Sequence, residues 1–108
     1  MGRPADNDSV QACAINGDEA RLKLLMGEEG FNLQETYTRR EWTLLHFAMS
    51  GGHVKCIDAV LEAANALSVG PALLAAKDAL GFTPFRLAKQ KRYVDVVLYM
   101  ESKGLAEK

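Results

Sequence analysis

The sequence contains two histidines and two cysteines, residue types that hold metal ions or act as nucleophiles: Cys13, His46, His53 and Cys56. His53 and Cys56 stand three residues apart, a spacing that places two side chains on one face of a helix. A structural zinc ion needs about four ligands, and the sequence offers only Cys13 and His46 besides that pair. Since a free cysteine commonly behaves as a small buried hydrophobe, structural roles are the alternative to a metal site.

The sequence motifs of common catalytic sites are missing. It contains no glycine-rich phosphate loop, no His-Glu-x-x-His motif and no nucleophile elbow. We therefore expect no catalytic residues, no metal and no cofactor, and predict that the protein is not an enzyme.

The composition is that of one globular domain, with 108 residues of which 48% are hydrophobic and 25% charged. Thirteen basic residues balance 14 acidic ones, so net charge favours neither nucleic acid nor an anionic membrane. The longest apolar stretch, 59–76, is interrupted by polar residues and by Gly70-Pro71, which predicts no membrane helix. With two cysteines and no secretory signal pattern, we expect a cytoplasmic or nuclear protein, not a secreted one.

The sequence contains an internal repeat. Residues 43–48 (TLLHFA) are followed by Gly52 and an apolar run, and the same order of residue types recurs in 83–88 (TPFRLA), forty residues later. A degenerate first copy is centred on Gly17. A repeat every 35 to 40 residues predicts a stack of similar units, because each unit buries its apolar face only against its neighbours.

Each copy is predicted to form two short helices. Thr43 and Thr83 are suitable N-caps, and Pro84 suits the first helical position. Gly17 and Gly52 supply the left-handed residue that lets the chain reverse. The predicted first helices are 9–15, 44–49 and 84–90, and the second helices are 19–26, 54–67 and 94–102.

Residues 43–48 with Gly52-His53, and residues 78–84 with Leu87-Ala88, resemble the ankyrin-repeat signature. The resemblance implies an all-α solenoid of stacked helix-turn-helix units joined by short β-turn or hairpin connections. We expect repeats at 8–40, 41–76 and 77–104, a flexible segment 1–7 and a tail 105–108. The signature residues are Thr43, His46, Ala48, Gly52, Gly81, Thr83, Pro84 and Ala88.

Two departures from the pattern carry structural predictions. Arg92 stands where the other copies have glycine, which predicts an altered or absent turn. The spacing of forty residues exceeds the usual period of about 33, and the excess falls between 62 and 76. We expect a longer second helix there, broken at Gly70-Pro71, with Leu73 and Leu74 packing back onto the stack.

The resemblance also implies roles for the residues that could do chemistry. The histidine matching His46 hydrogen-bonds the backbone of the adjacent turn. Cys56 falls at a buried aliphatic position, and Cys13 falls at the small position of Ala48 and Ala88. These roles favour structural functions over a metal site.

In the ankyrin family, partners dock on the concave face, which is built from the inter-repeat turns and the exposed side of each first helix. Trp42 with Arg40 is the best anchor pair, since tryptophan and arginine are enriched among interface hot spots. The alternative is that Trp42 lies over the neighbouring turn and covers core, and the two roles can coexist. Ala79 and Leu80 lie on this face, and the predicted partner-binding residues are Arg39, Arg40, Trp42, Met49, Phe82, Arg86 and Lys89.

The charges favour an acidic partner protein with an apolar anchor. Acidic residues fall mainly on the second helices, and six of the 13 basic residues fall near the concave side: Arg39, Arg40, Arg86, Lys89, Lys91 and Arg92. The alternative is an ordinary solvated face. Nucleic-acid binding is disfavoured by the net charge and by the lack of interleaved aromatic residues. We expect a monomer when free, and self-assembly through the exposed ends of the stack is the other alternative.

Overall fold

The protein is described by a computed structural model covering residues 10–28, 31–33, 35–37 and 40–105. The predictions for Arg39, for 1–7 and for 106–108 lie outside these residues. Within the described part of the chain the regular structure is entirely helical, as predicted. The helices are α1 (Val10–Asn16), α2 (Glu19–Met26), α3 (Leu44–Gly51), α4 (Val54–Ala66), α5 (Gly70–Ala75), α6 (Pro84–Gln90) and α7 (Val94–Ser102).

Three helix pairs form the stack: α1 with α2, α3 with α4, and α6 with α7. The first helices pack side by side in the order α1, α3, α6. The bounds of α2, α6 and α7 agree with the predicted ranges, and the others differ by one or two residues. None of the helices in the described residues is long and apolar enough to cross a membrane.

Threonine caps fix where two of the first helices begin. The Oγ1 atoms of Thr43 and Thr83 accept hydrogen bonds from the backbone N–H groups of His46 and Arg86, at 3.4 Å in each case. Pro84 occupies the first turn of α6, where a missing N–H leaves no helical bond unmade. These caps confirm the predicted starts.

The turn between the helices of each pair depends on one residue with a positive φ. Gly52 supplies it between α3 and α4, with φ 75°. Arg92 supplies it between α6 and α7, with φ 60°, so the prediction of an altered or absent turn is wrong. The turn persists because the Tyr93 N–H bonds the Ala88 carbonyl at 3.1 Å, while the Arg92 side chain lies exposed.

The insertion in the second repeat forms a helix of its own. α4 extends over 13 residues, and α5 follows with Pro71 in its first turn. α5 packs against α4 and α6, with Leu73 fully buried and Leu74 half-buried. The prediction of a broken, inward-packing segment is confirmed.

A single core runs through the stack. It contains Leu22 of α2, Ile57 of α4 and Val96 of α7, which are all fully buried. Tyr37 and Trp42 pair in an antiparallel bridge ahead of α3, in agreement with the expected hairpin connection. The turns that precede α3 and α6 are therefore held at defined positions beside the first helices.

Candidate partner-binding face

Asp78 organises the turn that precedes α6. Its Oδ1 accepts hydrogen bonds from the backbone N–H groups of Leu80 and Phe82, both at 2.9 Å. The Asp78 N–H bonds the Phe82 carbonyl at 2.9 Å. This closed turn holds the side chain of Leu80 outward, where 77% of it is exposed.

Trp42 bridges this turn and the preceding one. Its Nε1–H donates to Asp78 Oδ2 at 2.9 Å, and its ring packs edge-on against Phe47 at a centroid distance of 5.1 Å. The ring is half-buried, so Trp42 lies over the neighbouring turn, as in the second of the two interpretations. The Cζ atom of Arg40 lies 5.4 Å from the centre of the Trp42 ring, and the Arg40 carbonyl accepts the Ala79 N–H at 2.8 Å.

His46 joins the same two turns from beneath. The Thr43 N–H donates to His46 Nδ1 at 3.1 Å, so Nε2 carries the proton and donates to the Phe82 carbonyl at 2.9 Å. This bond confirms the predicted role of His46. Burial lowers the pKa of His46 below its ordinary value, and the Phe82 bond and the Asp78 charge oppose that effect only in part.

The carboxylate of Asp78 is fully engaged by the turn. Burial alone would raise the pKa of Asp78, but the hydrogen bonds from Phe82, Leu80 and Trp42 to the ionised form outweigh it. The resulting pKa lies below the ordinary value, because those donors stabilise the charged carboxylate. Asp78 is therefore a structural anion rather than an acid available for chemistry.

A depression of 320 Å³ opens between the two turns and the end of α6. Its lining is apolar where Trp42, Leu80 and Phe82 meet, and cationic at Arg40 and Lys91. We use the name concave face for this depression together with the exposed side of α6.

Two further cations of the concave face lie over aromatic rings. The Arg86 guanidinium stands 5.9 Å from the Phe82 ring centre, and the Lys89 ammonium stands 5.8 Å from that of Phe85. Both basic side chains are exposed on α6. The rings hold the cations at the surface, where they remain accessible to solvent.

The structure therefore brings together most of the predicted site residues but not Met49. The Met49 side chain is fully buried in the core, so its placement on a binding surface is wrong. Lys89, forty residues later, holds the equivalent position and is exposed. The position is covered inside the stack and open at its last described repeat.

The prediction from the sequence leaves Asp78 out of the site, and it includes Leu80 on the face but not among the binding residues. Leu80 is nevertheless the most exposed large hydrophobic side chain described. The available signal was an Asp-x-Leu-Gly turn ahead of a capping threonine. Aspartate in such turns commonly bonds backbone N–H groups further along the chain.

The two cysteines lie away from this face. Both are buried, and the Cys56 thiol approaches the Cys13 carbonyl at 3.8 Å. Burial, followed by the charges of Glu19 and Asp18, raises the pKa of Cys56 to about 11. These thiols are core residues, in agreement with the structural interpretation, and the described residues contain no cluster of side chains suited to a metal ion.

The repeat assignment is decided by comparison with known families. The family model for ankyrin repeats matches residues 10–106 in three copies. The chain belongs to the ankyrin-repeat family. The matched range contains all three helix pairs of the ankyrin stack described above.

Solved structures show the same architecture. A chain in the crystal structure of the yeast ribosomal protein Rps3 in complex with its chaperone Yar1 superposes with a TM-score of 0.76 at 22% identity. The match covers 99% of this ankyrin chain and 75% of that one, and at this identity it shows the fold. No curated protein matches the sequence.

Proposed function

We propose that this ankyrin stack is a non-catalytic interaction module, an adaptor or regulatory subunit, that binds a partner protein through its concave face. The observation that carries the proposal is a depression lined by Trp42, Phe82 and the exposed Leu80, next to a helix, α6, that exposes Arg86 and Lys89. Apolar and cationic groups held rigidly side by side are typical of interface hot spots. Ankyrin repeats generally mediate protein–protein interaction, which supports this assignment.

The charge distribution supports an acidic partner surface. Arg86, Lys89 and Lys91 are exposed on or next to α6, whereas acidic residues such as Asp95 and Glu101 lie on a second helix, α7. A cationic face steers an acidic partner during diffusional encounter. The aromatic rings of this face are packed into its turns, which argues against base stacking and hence against nucleic acid.

The setting of the structural neighbour is compatible with this proposal. Its crystal structure contains a ribosomal protein and the chaperone of that protein. A cytoplasmic or nuclear location is part of the proposal.

The proposal is tested by pull-down from source lysate with three versions of the chain. The first is wild type, the second carries Arg86→Glu with Lys89→Glu, and the third carries Lys55→Glu with Lys103→Glu on the second-helix side. Both variants change the net charge equally, so only position differs. A protein retained by the first and third and lost by the second supports the proposal, and equal retention by all three contradicts it.

Self-assembly is the second candidate, and the exposed ends of the stack favour it. Within the stack, the Asp58 carboxylate accepts a hydrogen bond from Tyr99 of the next repeat. Leu98 holds the position equivalent to Asp58, forty residues later, and is 57% exposed where a following repeat would pack. Leu24 holds the position equivalent to Tyr99 in the first repeat and is 71% exposed. Contact between such unlike ends would join copies head to tail.

Light scattering across a range of concentrations tests this candidate. Self-assembly predicts a mass that rises with concentration in wild type and stays at 11.8 kDa in a Leu98→Asp variant. A constant mass in wild type would remove the candidate and agree with the expected monomer.

A further inference from the structure

We propose that the depression at Trp42 receives one large apolar side chain of an extended acidic segment of the partner, and that carboxylates flanking that side chain pair with the surrounding cations. The proposal rests on the proposed function and names the chemistry of the partner. It commits to a linear segment rather than to a folded acidic surface.

The depression is large enough for a large apolar side chain. At 320 Å³ it lies at the small end of the range of pockets that bind compact ligands. Leu80, Phe82 and Trp42 supply apolar contact in its lining, which suits a branched or aromatic side chain that projects from a partner.

The buried carboxylate of the depression is used by the turn that contains it. Oδ1 of Asp78 accepts hydrogen bonds from two backbone N–H groups and Oδ2 accepts one from Trp42. Its charge offsets part of the positive charge nearby, while the side chains of Arg86 and Lys91 are exposed to solvent. Charge-assisted hydrogen bonds from those cations to carboxylates of another chain are stronger than neutral ones.

The cations border the depression at different points. Lys91 lies in its lining at the end of α6, and Arg86 lies over the ring of Phe82, which is also in the lining. Because the cations lie at different points, carboxylates before and after one apolar residue can each approach a cation while the apolar side chain enters the depression.

The chain carries its own reporter for this interaction, because Trp42 is its single tryptophan and lines the depression. The probe is a tryptophan-free peptide with a central leucine between two glutamates on each side. One control peptide replaces the leucine with alanine, and another replaces the glutamates with lysines. The readout is the change of Trp42 emission on titration at low salt.

We expect saturable binding of the leucine–glutamate peptide, at least tenfold weaker binding of the alanine peptide and no saturable binding of the lysine peptide. Raising the ionic strength weakens the first interaction, since screening acts on exposed charges. Equal responses to the glutamate and lysine peptides, or no saturable response to the glutamate peptide, would overturn the proposal.

Surface variants assign the binding to this face without disturbing the fold. Leu80→Ser and Lys91→Glu change exposed side chains, and each is expected to weaken peptide binding at least fivefold. Lys55→Glu on α4 is the matched control and is expected to leave binding within twofold of wild type. Weakening by Lys55→Glu equal to that by Lys91→Glu would show that net charge, rather than this depression, binds the peptide.

The outcome separates this inference from the proposed function. If the leucine–glutamate peptide does not bind while the Arg86→Glu, Lys89→Glu variant still loses a partner in the pull-down, the concave face binds a folded surface and the linear-segment proposal is wrong. If a single-stranded oligonucleotide binds more tightly than the leucine–glutamate peptide, the acidic-segment proposal is likewise wrong.

Discussion

Trp42 belongs to the packing between two repeats as well as to the candidate binding face. Its indole N–H satisfies one oxygen of Asp78, and its ring covers Phe47 and stacks near His46. A Trp42→Ala variant would therefore confuse lost binding with lost stability. Substitutions at exposed Leu80, Arg86 and Lys91 are better tests of recognition.

Replacing Trp42 with phenylalanine is expected to lower the free energy of unfolding by about 1–3 kcal/mol. The ring packing is largely kept, but the Asp78 oxygen loses its donor, and an unsatisfied buried acceptor costs that much. Urea unfolding followed by circular dichroism measures the change. Leu80→Ser is the control and is expected to stay within about 0.5 kcal/mol of wild type; equal losses in both variants would contradict this assignment.

Acidification is expected to destabilise the stack in two windows. The folded-state pKa of His46 lies below the ordinary 6.5 because of burial, so stability is retained above pH 6.5 and falls as pH decreases through the folded pKa. The pKa of Asp78 lies below the ordinary 3.8 because hydrogen bonds to its ionised form outweigh burial, so its contribution is lost as pH falls through that lower value.

Denaturant midpoints between pH 8 and pH 3 measure these two windows. A His46→Gln variant should lose the decline that begins near 6.5, and an Asp78→Asn variant should keep it. If wild type and His46→Gln have parallel profiles from pH 8 to pH 5, His46 does not contribute the first window.

At the scale of the elements, the helices could be predicted closely because their signals are local. A capping threonine followed by Pro84 defines the start of α6, and apolar residues at helical spacing define α7. The broken segment at Gly70-Pro71 was predictable for the same reason. The turn at Arg92 was not, because glycine is the preferred but not the required residue for a positive φ.

Two opposite substitutions at the equivalent turns test this account. Arg92→Gly is expected to raise the free energy of unfolding by about 0.5–1 kcal/mol, since relief of the left-handed strain exceeds the entropy gained by the unfolded chain. Gly52→Ala is expected to lower it by at least about 1 kcal/mol, because the added Cβ would also lie 2.9 Å from the Tyr93 ring. Thermal unfolding of both variants gives the comparison, and changes of the same sign would refute it.

At the scale of the whole molecule, the stack determines which predicted site residues are accessible. Met49 and Lys89 are equivalent in the repeat, yet one is fully buried and the other exposed. The sequence identified the surface that includes Arg40, Trp42 and Phe82 because caps and turns place those residues. The sequence could not show that the Met49 side chain is buried or that Trp42 hydrogen-bonds Asp78, since both facts depend on contacts between repeats.

Removing the third repeat is expected to abolish cooperative unfolding of the remainder. A chain ending at residue 76 lacks α6, which packs against α3, and it lacks the Phe82 carbonyl that His46 bonds. About three repeats are needed for an independently stable stack. Circular dichroism with urea titration measures the result, and a sigmoidal transition comparable with that of the full chain would contradict it.

The contact between Gly52 and Tyr93 has a consequence for engineering longer arrays from this chain. An added Cβ at Gly17 would clash with the side chain of His53, and one at Gly52 would clash with that of Tyr93. His53 and Tyr93, which each follow the positive-φ residue of their own repeat, therefore pack against the turn of the preceding repeat. The turn at Arg92 has no such residue after it in the described chain and tolerates a side chain. A consensus module appended after α7 would place an aromatic ring against residue 92, and glycine would have to be restored there before the array could be extended.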